Sequence, residues 1–266
     1  MTSNIPCDFL TPSLTGINEV LLTHTELVNS LQTLCYWKQK SWRQFSIKML
    51  DPEFPCLFSK RAWSSKSIRF LFCEKHEDNE YKDFLYGLLQ YSNYINCTEL
   101  KKRLFSPMVV FFSPEFITDK MQHEVGWDAL NWVHARDVKP WPNDIPKDPE
   151  SVDWSFCFNN IQFFINMSVK DHRILRNRNL GSHLTFVINA RENFDAVANG
   201  NTKGGILMRE RIRERVKDYN GGVVPSELGF YGKDLEWEQY QLSEPGLIKP
   251  ETCPFTSGNH YNIDKK

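Results

Sequence analysis

No Cys-x-x-Cys pair occurs in this chain, although it holds seven cysteines among 266 residues. Scattered thiols of odd number argue against a structural zinc site and a disulfide framework, and they set the expectation of reduced thiols in a cytoplasmic protein. No Gly-x-Gly-x-x-Gly follows a predicted strand, and Gly204-Gly205 stands alone. Gly-x-x-x-x-Gly-Lys-Ser/Thr, His-Glu-x-x-His and Gly-x-Ser-x-Gly are also missing. Dinucleotide-binding, P-loop, zinc-protease and serine-hydrolase readings therefore have no motif behind them. Charge of one sign is lacking too: the net charge is -1, which gives no electrostatic case for nucleic acid. No apolar run approaches the roughly 20 residues that cross a bilayer, so no membrane association is expected. The N-terminal MTSNIPCDFLTPS has neither a basic nor an apolar region, and no secretory signal is expected there.

What is present is apolar and aromatic. Hydrophobic residues make up 41% of the chain and aromatic ones 14%, enough for a large core or an aromatic-lined pocket. Leu21, Leu27, Leu31, Leu34 and Cys35 recur at helical spacing and predict helix over residues 17–50. Asp51-Pro52 and Phe54-Pro55 break it. Strands are predicted at 67–74 and 108–112, and a helix at 81–93. A further helix, capped by Thr118 or Asp119, is predicted to run through Arg136. Two strands at 154–158 and 161–166 flank Asn159-Asn160, a pair suited to a tight hairpin turn. A strand at 183–190 and a charged helix at 203–219 follow, the helix with Ile206, Leu207, Ile212 and Val216 as its apolar stripe. Neighbouring strands flanked by helices predict an α+β fold: an antiparallel sheet in a single domain. Residues 1–50 are expected as a helical segment packed on a domain at 51–243, with a tail at 244–266.

The densest region runs from Trp141 to Arg178. Four prolines (140, 142, 146 and 149) precede two aromatic strand-like runs, WSFCF and QFFIN. A polar loop with His172, Arg173, Arg176 and Arg178 follows. An apolar aromatic wall beside imidazole and guanidinium groups suits a flat, apolar, doubly anionic cofactor such as haem. Arg-rich loops also bind phosphates and carboxylates of many kinds.

Six segments in series resemble the YqcI/YcgG family. They are FPCLFSKRAW at 54–63, WVHARD at 132–137 and a WP-x-x-IP-x-DP pattern at 141–149. W-x-F-C-F at 154–158, H-x-x-x-R-N-R at 172–178 and LGFYG…EWEQYQL at 228–242 complete the series. Some members of the family look like haem-dependent N-oxygenases that hydroxylate a guanidine nitrogen of arginine or a derivative. The resemblance thus implies a haem b monooxygenase, an oxidoreductase using O2 or peroxide. This chain departs from the family's frequent Pro-Ala-His by reading Lys170-Asp171-His172.

Within that frame His172 is the first candidate for the axial ligand and His134 its rival, with Cys56 and Cys157 as thiolate alternatives. Arg173, Arg176 and Arg178 are propionate candidates. Glu124, Asp153 and Trp154 are candidates for holding a guanidine or amine substrate. A solvated basic loop, turn carboxylates and core packing are the ordinary roles of the same residue types. No flavin or iron–sulfur motif occurs, so a separate electron donor is expected. A haem sensor or carrier without turnover is the alternative. A homodimer is compatible with all of these readings.

Overall fold

The computed structural model describes residues 19–256. At the N-terminal end, β1 (Leu22–Thr23) leads into α1 (His24–Ser30). There Thr23 accepts from Glu26 N and Glu26 from Thr23 N, a reciprocal cap. A short 3-10 turn (Leu31–Thr33) separates α1 from α2 (Tyr36–Leu50). The single helix expected over 17–50 is therefore broken, with Leu34 and Cys35 extended between the pieces. The helix α3 (Leu57–Ser64) lies where prolines alone had been legible.

The central elements are β2 (Arg69–Cys73), α4 (Lys82–Cys97), α5 (Leu100–Arg103), β3 (Met108–Phe112) and α6 (Gln122–His134). Glu124, not Thr118 or Asp119, caps α6, by accepting from Met121 N at 2.7 Å. The hairpin β4 (Phe156–Phe158) and β5 (Ile161–Ser168) turns through Asn159 and Asn160, at φ 51° and 63°. Paired positive φ is what a two-residue hairpin turn with strand-matched twist requires. Then come β6 (Thr185–Ala190), α7 (Arg191–Ala198), α8 (Lys203–Tyr219) and α9 (Glu236–Tyr240).

Among the described residues the strands form one six-stranded sheet in the order β1-β2-β3-β6-β5-β4. The fold is α+β, as expected, and the sheet is antiparallel except for β2 and β3, which run parallel. The crossover through α4 and α5 imposes that one exception, since parallel neighbours need a long connection.

Strand alternation divides the core in two. Leu71, Val110, Phe112, Ile165 and Phe186 face a layer that includes α4 and α6. Phe70, Phe72, Val109 and Phe111 face the other way, toward Trp42, Phe45 and Met49 of α2. The first face packs tightly at Gly126 of α6, where a Cβ would stand 2.9 Å from Met167 Sδ and 3.1 Å from the Phe186 ring. The C-terminal segment belongs to the body of the fold, because Phe255 is buried and Asn131 bonds the backbone at Pro254 and Thr256. Cys35, Cys56, Cys73, Cys157 and Cys253 are free thiols. Cys97 is disulfide-bonded, which departs from the expectation of uniformly reduced thiols. No described helix is long and apolar enough to cross a membrane.

Candidate active site

The second face of the sheet carries the site. Val109, Phe164, Asn166, Ser168 and Val187 project from β3, β5 and β6 into a cavity of about 1150 Å³, counting its open mouth. Period two puts Phe164, Asn166 and Ser168 on this side, while Phe163, Ile165 and Met167 enter the opposite core. The remaining walls come from α2 (Phe45, Met49), the start of α3, Phe194 of α7, and α8. On α8 the lining positions are Arg209, Ile212, Arg213 and Val216, the spacing of one helical face. Leu207, expected in the apolar stripe, is 64% exposed.

Two kinds of functional group stand out against these apolar walls. The first is Cys56, which lines the cavity from the N-cap of α3 and accepts a hydrogen bond from Ser59 N at 3.4 Å. The first turn of α3 thus directs one of its free backbone N–H groups at the sulfur. The second is a set of three guanidiniums. Arg178 is buried; its Nη2 donates to Gln239 O at 2.9 Å, and its Nη1 has no partner. Burial lowers its pKa to about 9, against the pull of Cys56 and Glu227. Arg213 bonds the carbonyls of Leu228 and Gly229. Arg209 donates its Nε to Ala198 O at 2.6 Å and lies over Phe194 and Phe230.

A haem ring needs an apolar slot, a ligand for iron and cations for its propionates. The donor set meets these needs: apolar walls, one thiol on a helix N-terminus, and an unpaired buried guanidinium N–H. A buried polar atom without a partner calls for an explanation, and a ligand is one of them.

The other expected residues fall elsewhere. His172 is buried but does not line this cavity; its Nδ1 meets Glu244 Oε2 at 3.2 Å. Its Nε2 is buried without a partner, and its ring centroid lies 5.6 Å from that of His123. His134 packs between Trp141 and Phe255. Asp137, a possible partner for it, instead accepts from Asn159 N and Lys139 N. Arg173 is exposed, and exposed Arg176 bonds Tyr219 O while lying over the Tyr219 ring. Trp154 is core, against Tyr240 and Phe255. Cys157 is core as well, and burial pushes its thiol well up. Asp153 is exposed and its carbonyl accepts from Tyr231. Glu124 borders a separate pocket beside His123. Of the loop cations only Arg178 reaches the cavity. Arg209 and Arg213 were missed, although their spacing of four on a predicted helix is a signal that they share a face.

An α+β chain with a cation-bearing apolar cavity fits a small-molecule binding protein or enzyme. The chain belongs to the YqcI/YcgG family, whose sequence profile matches residues 45–256. It is 36% identical over 245 residues to a Streptomyces lavendulae protein named "Putative N(omega)-hydroxy-L-arginine synthase DcsA", covering 91% of each chain. It is also similar to two Bacillus subtilis proteins, the uncharacterized YcgG (31% identical, 86% of this chain and 96% of the relative) and the uncharacterized YqcI (29%, 88% and 94%). No solved structure matches it.

Proposed function

We propose that this protein is a haem-dependent N-hydroxylase acting on a guanidine nitrogen of arginine or a close derivative, with Cys56 as the residue that would hold the iron. The observation that carries the reading is the cavity itself, where a helix-capping thiol and an unpaired buried guanidinium share apolar walls. The printed name of the Streptomyces relative supports the reaction class and the substrate.

The net reaction replaces N–H by N–OH. One oxygen atom of O2 goes to nitrogen and the other leaves as water, with two electrons and two protons supplied by a separate donor. Peroxide serves in place of O2 and that donor. A bound haem supplies the iron at which oxygen is activated, and a thiolate ligand favours O–O cleavage.

The chain's own residues supply the rest. Cys56 would hold the iron through its sulfur, which accepts from Ser59 N. Arg178 would pair a propionate through its Nη1. Phe45, Phe54 and Phe164 keep water from the ring. No carboxylate lines the cavity among the described residues, so a guanidine there meets neutral acceptors. The Asn166 amide and the Ser168 hydroxyl lie on that wall. Placement of the reacting nitrogen therefore falls to them.

Absorption spectra of the full chain, titrated with haem and then reduced under CO, test the proposal. A saturable band near one haem per chain, with the CO form far to the red, is the expected result. No saturable band sinks the haem reading, and a CO band at the histidine position moves the ligand away from Cys56.

A further inference from the structure

Beside the cavity lies a second hollow of about 630 Å³, counting its mouth, formed between the end of α7, the start of α8 and the segment before α9. Arg209 lines both spaces. Its guanidinium stands 4.8 Å from the Phe194 ring, which borders the cavity, and 5.2 Å from the Phe230 ring, which borders the hollow. One cationic side chain thus borders both spaces.

Charged groups with spare capacity converge on the hollow. Arg209 commits its Nε to Ala198 O, and its two Nη groups make no hydrogen bond among the described residues. Asp195 makes no hydrogen bond among them; its ion pair, to Arg191 Nη1, is long at 3.9 Å, and it also attracts the Arg209 guanidinium. Arg191 is itself already paired with the buried carboxylate of Glu236, so Asp195 is weakly held. Lys233 has its Nζ 5.8 Å from the Phe230 ring and makes no ion pair among the described residues. Both of these side chains line the hollow. One carboxylate and two cations facing a polar pocket complement an ammonium and a carboxylate on one carbon.

From these contacts we infer that the hollow binds the α-amino-acid end of the substrate, with Asp195 taking the α-ammonium and Lys233 and Arg209 the α-carboxylate. The side chain of that amino acid then passes Arg209 into the large cavity. The inference rests on the N-hydroxylase reading for its substrate, but the two can fail separately. Under it the polar groups of the cavity need recognise only the guanidine.

Calorimetric titration of the full haem-loaded chain distinguishes the cases. The probes are L-arginine, agmatine (which lacks the carboxylate) and δ-guanidinovalerate (which lacks the α-amino group). Wild type should prefer L-arginine to either analogue by at least about tenfold, the scale of one lost charge-assisted bond. Asp195→Asn should erase the preference over δ-guanidinovalerate and keep that over agmatine. Lys233→Gln should narrow the preference over agmatine alone. These crossed losses are not the signature of a merely structural change.

An unchanged preference in both variants, or analogues that bind wild type as well as arginine does, overturns the inference and leaves the guanidine reading intact. If L-arginine fails but L-lysine or L-glutamine binds in an Asp195-dependent manner, the hollow is upheld and the guanidine reading falls. If no α-amino acid binds, both fall.

Discussion

Glu244 and His172 face each other in the interior, Oε2 to Nδ1 at 3.2 Å, and the same carboxylate accepts from the backbone N–H groups of Arg173, Ile174 and Leu175. A carboxylate behind an imidazole is also what a metal-ligating histidine has. Here the free Nε2 lies near the His123 ring, not on the large cavity. The pair therefore shapes the loop that delivers Arg178. Removing Glu244 strands three N–H groups, so Glu244→Ala should cost about 2–4 kcal/mol. It should also weaken haem binding by displacing Arg178. Urea unfolding measures the first effect and haem titration the second; a loss below about 1 kcal/mol would sink the anchoring role.

Cys56→Ser should leave the haem-free protein folded and within about 1 kcal/mol of wild type, because serine is a better N-cap than cysteine. The red-shifted CO band should disappear. His172→Ala should keep that band in whatever fraction folds. If the two variants exchange these outcomes, the axial ligand lies on the loop.

Arg178→Met should separate stability from binding. Substitution removes a desolvated charge but leaves Gln239 O without its donor, and these effects oppose each other. Less than about 1 kcal/mol of stability should be lost, while haem affinity falls at least about tenfold. Equal affinity in the two proteins would show that Arg178 serves the fold alone.

Acid should destabilise the protein well before carboxylates protonate. Burial lowers the pKa of His24, His134, His172 and His183, and takes His123 to about 3. Below 6.5 the unfolded chain binds protons that these folded imidazoles refuse, so stability present above that value is lost as pH falls toward the folded pKa values. His123 alone should account for about 1 kcal/mol between pH 6.5 and about 5.5. His123→Gln should flatten the curve of thermal midpoint against pH. A midpoint constant from about pH 7.5 to about 5.5 contradicts the account.

Elements governed by local chemistry were legible in the sequence. The apolar run at 108–112 became β3 as expected, and the Asn159-Asn160 pair took the positive φ of the hairpin. The charged helix at 203–219 formed over that span, capped by Thr202. Periodicity and turn propensity act over a few residues, so they survive without tertiary context. The parallel β2–β3 pairing and α3 did not show, since each depends on what the segment packs against.

The site followed the same division. Arg178 was legible from the loop motif and the Pro55-Cys56 step from the first family segment, but nothing local said that they meet. Cys56 and Arg178 lie far apart in the chain, and a strand face, α2, α7 and α8 must all close before they line one cavity. The sequence by itself determined the strands β2 to β6, the hairpin, the helices α4, α6 and α8, and the family. Tertiary structure alone decided which of several histidines, cysteines and arginines share a cavity. Burial and encounter are properties of the packed chain, and side chains of one chemical type look alike until packing sorts them.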